Sequence, residues 1–306
     1  MKLQANKINT LAGHKDCIYT LESGLENQLF FSSGGDGLVA VWNLENPEIG
    51  KLVAQVPQSV YALKLIKERN QLLVGQNTEG LHLIDLEKIK ELRTLKTTHT
   101  SIFDIQIVDN LILMAYADGS IQQIDLDKWS IRNTVKTTDK SARSIALHPS
   151  GEFFAVGFSD NYIRIFDTKT LSTLQNFEAH QNSVFTLTYS PDGKHLISGG
   201  RDAHLKVWDV ENHYKNIYNI PAHLFAINHL VFSPQGNLLA SCSMDKSIKI
   251  WDAQTFKLLK VIDKARYAGH GTSINKLLWT SYQDFLISGS DDRMISIWDI
   301  QKQETI

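Results

Sequence analysis

An all-β propeller of seven blades, each a four-stranded antiparallel sheet, is the fold class that this 306-residue sequence predicts. Two observations carry that expectation. Seven times a short run ends in an aromatic or aliphatic residue followed by Asp or Asn: Trp42-Asn43, Ile84-Asp85, Ile124-Asp125, Phe166-Asp167, Trp208-Asp209, Trp251-Asp252 and Trp298-Asp299. Successive copies lie 42, 40, 42, 42, 43 and 47 residues apart, and self-similarity at about 40–45 residues with Gly-His and Trp-Asp pairs is the period of a propeller blade. Within each period, short β-rich runs alternate with turn-forming residues, as antiparallel strands packed four to a blade require.

Taken in order, the chain opens on Ile8-Asn9-Thr10-Leu11, a spare strand before the first Gly13-His14. Repeat one then carries His14, Ser32, Asp36 and Trp42. Repeat two has Val74, Thr78 and Ile84 at the Ser, Asp and Trp positions. Repeat three has Met114, Asp118 and Ile124, with His99 one place late, and repeat four has Val156, Asp160 and Phe166 with no His. Repeat five is the clearest. His180 precedes the run Val184 to Tyr189, and Ser190-Pro191-Asp192-Gly193 places Pro second and Gly fourth, as a type I turn prefers. Ser198, a tight Gly-Gly-Arg-Asp turn ending at Asp202, and Trp208 complete it. Repeats six and seven carry the same set as His223, Ser241, Asp245, Trp251 and His270, Ser288, Asp292, Trp298.

The four complete sets resemble the WD40-repeat family, and the resemblance covers essentially the whole chain. It implies a structural network in each complete repeat: the Asp accepts from the His ring, the His meets the Ser hydroxyl, and the Trp indole donates outward. It also implies that the spare N-terminal strand fills the fourth position of the last blade, whose own copy stops at Trp298-Asp299-Ile300. The ring is then closed and no sheet edge is left open at its ends. Residues 1–306 are accordingly expected to form one domain.

An Asp–His–Ser set can also be a nucleophilic triad. Four copies in one chain argue against that reading, and no nucleophile elbow accompanies any of them. Where the His is missing or displaced, the Ser and Trp positions are apolar together. A buried Ser without a partner would cost about 1–3 kcal/mol, so replacement of the whole network is the consistent alternative.

Function is expected at the channel mouth on the face that the resemblance calls the top. Near it would stand Tyr19, Tyr61, Phe103, Arg143, Phe185, Asn228 and Asn275, with Arg201 and Met244 on the rim. Aromatics and Arg are the types enriched in interface hot spots. The competing reading is packing: strand alternation puts Phe185 on one face with Leu187 and Tyr189. The resemblance implies a non-enzymatic scaffold for proteins or peptides of unknown identity. The alternative is a propeller with a small-molecule or catalytic site at the central channel mouth.

Composition limits the other classes. A formal net charge of −2 supplies no global basic field, so no nucleic acid and no membrane partner is expected. Lys257, Lys260, Lys264 and Arg266 make one local basic run, read as a solvated loop in the longest inter-repeat segment. Two cysteines, Cys17 and Cys242, make no disulfide framework, and the remaining histidines lack metal-ligand spacing. No metal and no cofactor is therefore expected. The first residues have no signal-peptide stretch, and no run of eighteen apolar residues occurs, which points to the cytoplasm. No Trp-Asp-x-Arg and no Phe-Arg-Arg-Gly is present, so adaptor-docking and phosphoinositide-binding propellers of the family are not matched.

Overall fold

The computed structural model describes residues 3–96 and 100–302. It holds seven four-stranded antiparallel sheets. In six of them, the strands pair in chain order, from an inner strand to an outer one. The inner strands are Ile18–Ser23, Val60–Ile66, Ile102–Val108, Ala142–Leu147, Val184–Tyr189, Ile227–Phe232 and Ile274–Trp279. The seventh sheet is assembled from both ends of the chain: Ile274–Trp279, Leu286–Ser290 and Ile295–Lys302 are completed by Leu3–Leu11.

That closing strand is longer than the four residues expected. Its register with Ile295–Lys302 runs from Leu3 opposite Lys302 to Leu11 opposite Ile295, with Ile8 displaced at a bulge. Leu3, Ala5 and Leu11 are buried, whereas Ile8 points outward and is half exposed. The expected strand, Ile8 to Leu11, is only its last part, because the alternation that marks a strand breaks at that bulge.

The core does not lie on the ring axis. It is divided into seven apolar wedges, each between neighbouring blades. Phe31, Val39, Val60, Leu63 and Leu72 join blades one and two, and Leu11, Ile18, Phe30, Ile287 and Ile297 join seven and one. Middle strands are therefore covered on both faces, and Leu111–Tyr116 is buried at every residue. Close approach is needed at these seams. A Cβ on Gly289 would stand 2.6 Å from a methyl group of Ile18, so a larger residue would push the last blade off the first. Outer strands are solvated instead, and in Lys90–Leu95 only Leu95 is partly covered.

The insertion behind the 47-residue interval is not only loop. It contains a one-turn helix, Lys264–Tyr267, capped by the Asp263 side chain on the Arg266 amide. Arg266 also forms an ion pair with Asp263, and Lys260 sits 5.2 Å from the centre of the Tyr267 ring. Half of the basic run is thus engaged locally. Among the described residues no helix is long and apolar enough to cross a membrane.

Candidate functional site

Each complete repeat forms one hydrogen-bonded chain of four side chains. In blade five, His180 Nδ1 lies 2.9 Å from Asp202, His180 Nε2 lies 2.7 Å from Ser198 Oγ, and Trp208 Nε1 donates to the same Oγ at 2.9 Å. His14, Ser32, Asp36 and Trp42 repeat this, as do His223, Ser241, Asp245 and Trp251, and His270, Ser288, Asp292 and Trp298. The indole therefore donates inward to the serine, not outward as the resemblance implied. Trp42, Trp208, Trp251 and Trp298 are all buried, so an outward N–H would have had no partner.

One set of donors satisfies the whole chain. An indole N–H donates to the serine oxygen, the serine O–H donates to Nε2, and Nδ1–H donates to the carboxylate. In blades five and six that direction goes with a neutral imidazole, since burial disfavours the charged ring there. Burial lowers the pKa of His180 and of His223, only partly opposed by Asp202 and Asp245. For Asp202, burial acts upward, but the hydrogen bonds from His180 and from the Gln181 and His204 amides prevail and hold it down at about 2.

The degenerate repeats do not all become apolar. Met114, Ile124, Val156 and Phe166 are fully buried. In blade four, however, Asp160 keeps a partner, because Arg164 binds both its oxygens at 3.1 and 2.7 Å. Arg164 also lies 4.5 Å from the Phe158 ring centre. An Arg four residues after the turn Asp was the available signal. In blade three, Tyr116 Oη donates to Gln122 at 2.7 Å, while His99 lies outside the described residues.

The mouth residues share one backbone device. Every inner strand changes register with its neighbour across a single residue, and the residues skipped are Tyr19, Tyr61, Phe103, Arg143, Phe185, Asn228 and Asn275. A bulge re-aims the extra side chain. Phe185 accordingly leaves the alternation that holds Leu187 and Tyr189 in the core, and all seven residues line one cavity of about 260 Å³. The packing reading of Phe185 relied on a regular strand, which the backbone here is not.

Two arcs of different chemistry result. Tyr19 and Tyr61 stack with centroids 4.9 Å apart, and Tyr61 meets Phe103 edge-on at 5.5 Å. The Arg143 guanidinium lies 4.5 Å from the Phe103 ring and 5.4 Å from that of Phe185. The other arc is spent on closure: Asn228 Nδ2 donates to Ile274 O at 2.8 Å, and Asn275 Nδ2 donates to Ile18 O at 3.0 Å and to Asp291 at 2.7 Å. Arg201 and Met244 do not line the cavity. Their amides bond to the carbonyls of Ser183 and Ala226, and Met244 is half exposed.

One place further along each inner strand lies a floor that the motif reading passed over. Asp104 Oδ2 accepts the Ile145 amide at 2.7 Å, Ser144 Oγ accepts that of Leu187 at 3.3 Å, Thr186 Oγ1 that of Leu230 at 3.2 Å, and His229 Nδ1 that of Leu277 at 3.3 Å. Four consecutive blade seams are thus tied by a side chain to a neighbour's backbone. Burial raises the pKa of Asp104, opposed first by Lys276, and burial lowers that of His229 well below the usual range. Their position directly after the mouth residue was a usable signal. Among the described residues no group of three or more His, Cys, Asp or Glu is placed to hold a metal ion.

With this geometry in place, comparison with known proteins is informative. The sequence model of one family, "WD domain, G-beta repeat", matches residues 5–43, 129–167, 171–209, 214–252 and 262–299. The first match begins in the closing strand of blade seven and ends on the third strand of blade one, so a sequence repeat straddles two blades. The longest unmatched stretch, 44–128, holds blade two and the first three strands of blade three, whose Ser and Trp positions are apolar. Similar curated proteins include "Periodic tryptophan protein 2 homolog" of Mus musculus, 24% identical over 220 residues, covering 65% of this chain and 24% of that protein. "Striatin homolog" of Dictyostelium discoideum is 25% identical over 240 residues, covering 66% and 29%. "Protein groucho" of Drosophila melanogaster is 25% identical over 213 residues, covering 66% and 29%. The matched part of the chain spans less than a third of each of these relatives.

Proposed function

The chain belongs to the WD40-repeat family, and from that premise we propose that it is a non-enzymatic scaffold whose channel mouth holds a peptide or loop of a partner protein. The observation that carries this reading is the set of bulged residues Tyr19, Tyr61, Phe103, Arg143 and Phe185, turned by the backbone into one cavity. Rigid aromatics and Arg supply large contact area at low entropic cost, which is why they dominate interface energetics. Arg201 and Met244 extend the surface to the rim.

Catalysis by the tetrads has little to recommend it. The Ser198 hydroxyl is fully buried and already held between His180 and Trp208, so no substrate carbonyl could reach it. The titratable groups of the floor suit the alternative of a reactive channel site no better. Asp104 and His229 are bonded to backbone amides across blade seams, a use that joins blades.

The test is truncation of aromatics with two readouts. Tyr61→Ala and Phe103→Ala should each weaken capture of copurifying partners about thirtyfold, the effect of losing a hot-spot contact of roughly 2 kcal/mol, while thermal unfolding stays near that of the parent. Variants that melt several degrees lower yet capture partners normally once folded would overturn the mouth as the binding surface.

A further inference from the structure

The mouth has an unbalanced charge. Arg143 spends its Nε on Ser159 Oγ at 3.0 Å, and among the described residues no carboxylate lies within ion-pairing distance of it. Its two terminal nitrogens make no hydrogen bond there, although the side chain is partly buried, and burial, opposed by Tyr61 and aided by the nearby Arg201 charge, lowers its pKa. Lys276, on the cavity wall, also has neither a hydrogen bond nor an ion pair among the described residues. The carboxylates nearby are in the opposite condition. Asp104 accepts the amides of Ile105 and Ile145, and Asp291 accepts from Asn275. A cationic ligand would meet an Arg already lying against Phe103 and Phe185, and carboxylates already bonded. An anion would meet unspent donors.

We propose that the mouth receives an anionic group of its peptide partner, an Asp or Glu carboxylate or a phosphorylated side chain, hydrogen-bonded by the terminal nitrogens of Arg143 within the field of Lys276 and Arg201. An apolar neighbour of that group lies on the Tyr19–Tyr61–Phe103 arc. The inference rests on the mouth as binding surface and adds the chemistry of what it selects. A partly buried guanidinium with unbonded terminal nitrogens gains from an anion, and this one is held against the Phe103 and Phe185 rings.

A peptide array probed with the full chain tests it. The peptides carry a central Glu, phosphoserine, phosphotyrosine, Gln or Lys, flanked by Phe or Leu in otherwise degenerate positions. Retention is expected for Glu or for a phosphorylated residue over Gln and Lys, and the Glu and phosphate arms distinguish the two sources of anion. Arg143→Gln should reduce retention of the favoured class roughly tenfold or more, the loss of a hydrogen bond to a charged group. Arg143→Lys should restore only part, and Lys276→Gln should weaken the same class less. Melting curves exclude unfolding of the variants. Equal retention of Gln-centred peptides, preference for Lys, or an acidic preference that survives both Arg143→Gln and Lys276→Gln would overturn the proposal. Peptides that lose retention on Tyr61→Ala yet show no anion preference would sink this inference and leave the binding mouth standing. Anion preference insensitive to Tyr61→Ala and Phe103→Ala would place the anion elsewhere and defeat both.

Discussion

At the scale of single residues, the tetrads derive their value from complete satisfaction. Asp202 takes the His180 ring and the amides of Gln181 and His204. Asp202→Ala leaves these donors without an acceptor, and its expected cost is about 1–3 kcal/mol. Thr78, at the same position in blade two, makes no such bonds among the described residues, and Thr78→Ala should cost less than about 0.5 kcal/mol. Denaturant midpoints of the two variants decide it, and equal losses would mean that the positions are not equivalent. The same tetrads give the stability a sign with pH. His180 and His223 have folded pKa values below 6.5, so the unfolded chain binds their protons first as pH falls. Asp202 is likewise depressed, from 3.8 to about 2. Stability should therefore decline from about pH 6.5 downward, and decline again between about pH 4 and 2. Urea midpoints at pH 7.5, 5.5 and 3.5 check this, with a smaller acid loss expected for His180→Gln; a flat profile would contradict the neutral tautomer.

At the scale of the element, a blade tolerates exchange of its network provided that each buried charge keeps a partner. Blade four does so with Arg164 and Asp160 in place of the His-bearing set. Arg164→Ala should destabilise by about 1–3 kcal/mol because Asp160 is left poorly paired. The double variant Arg164→Leu with Asp160→Asn should recover most of that loss, since no charge is then stranded, and equilibrium unfolding measures both. Which positions carry the tetrads was legible in the spacing, because Asp, Ser and His recur at fixed offsets from Trp. Arg164 stands outside those offsets, four residues after Asp160, where blades five and six carry Lys206 and Lys249. The bulge at Phe185 was out of reach for a different reason. A bulge is a property of the pairing between two strands, Val184–Tyr189 with His195–Gly200, and the composition of either strand alone does not reveal it.

At the scale of the whole molecule, the ring depends on one strand brought from the other end of the chain. Leu3–Leu11 covers Ile295–Lys302 and buries Leu3, Ala5 and Leu11. Deleting residues 1–12 would open that sheet edge, remove apolar contacts from two inter-blade wedges and loosen the Gly289–Ile18 seam. A lower midpoint of thermal unfolding for the entire protein is expected, and an unchanged midpoint would refute closure as a source of stability. Blades that contact only their neighbours are individually weak, so loss at one seam should be felt all round.

By itself, the sequence determined the number of blades, the strand that closes them, the four tetrads and the identity of the seven mouth residues. The blade count and the tetrads follow from periodicity, since like local chemistry recurs wherever like blades pack, whereas the closing strand and the mouth positions follow from the resemblance to the WD40-repeat family. Only the tertiary structure decided where those residues point and what they lack. Phe185 faces the channel because the backbone slips by one residue, Asn228 and Asn275 are consumed at seams, and Trp208 donates inward to the Ser198 hydroxyl. Arg143 has no ion pair because no carboxylate of the described residues is brought within reach of it. Each of these is set by which groups from distant parts of the chain arrive at one place, and hydrogen-bond capacity is settled only there.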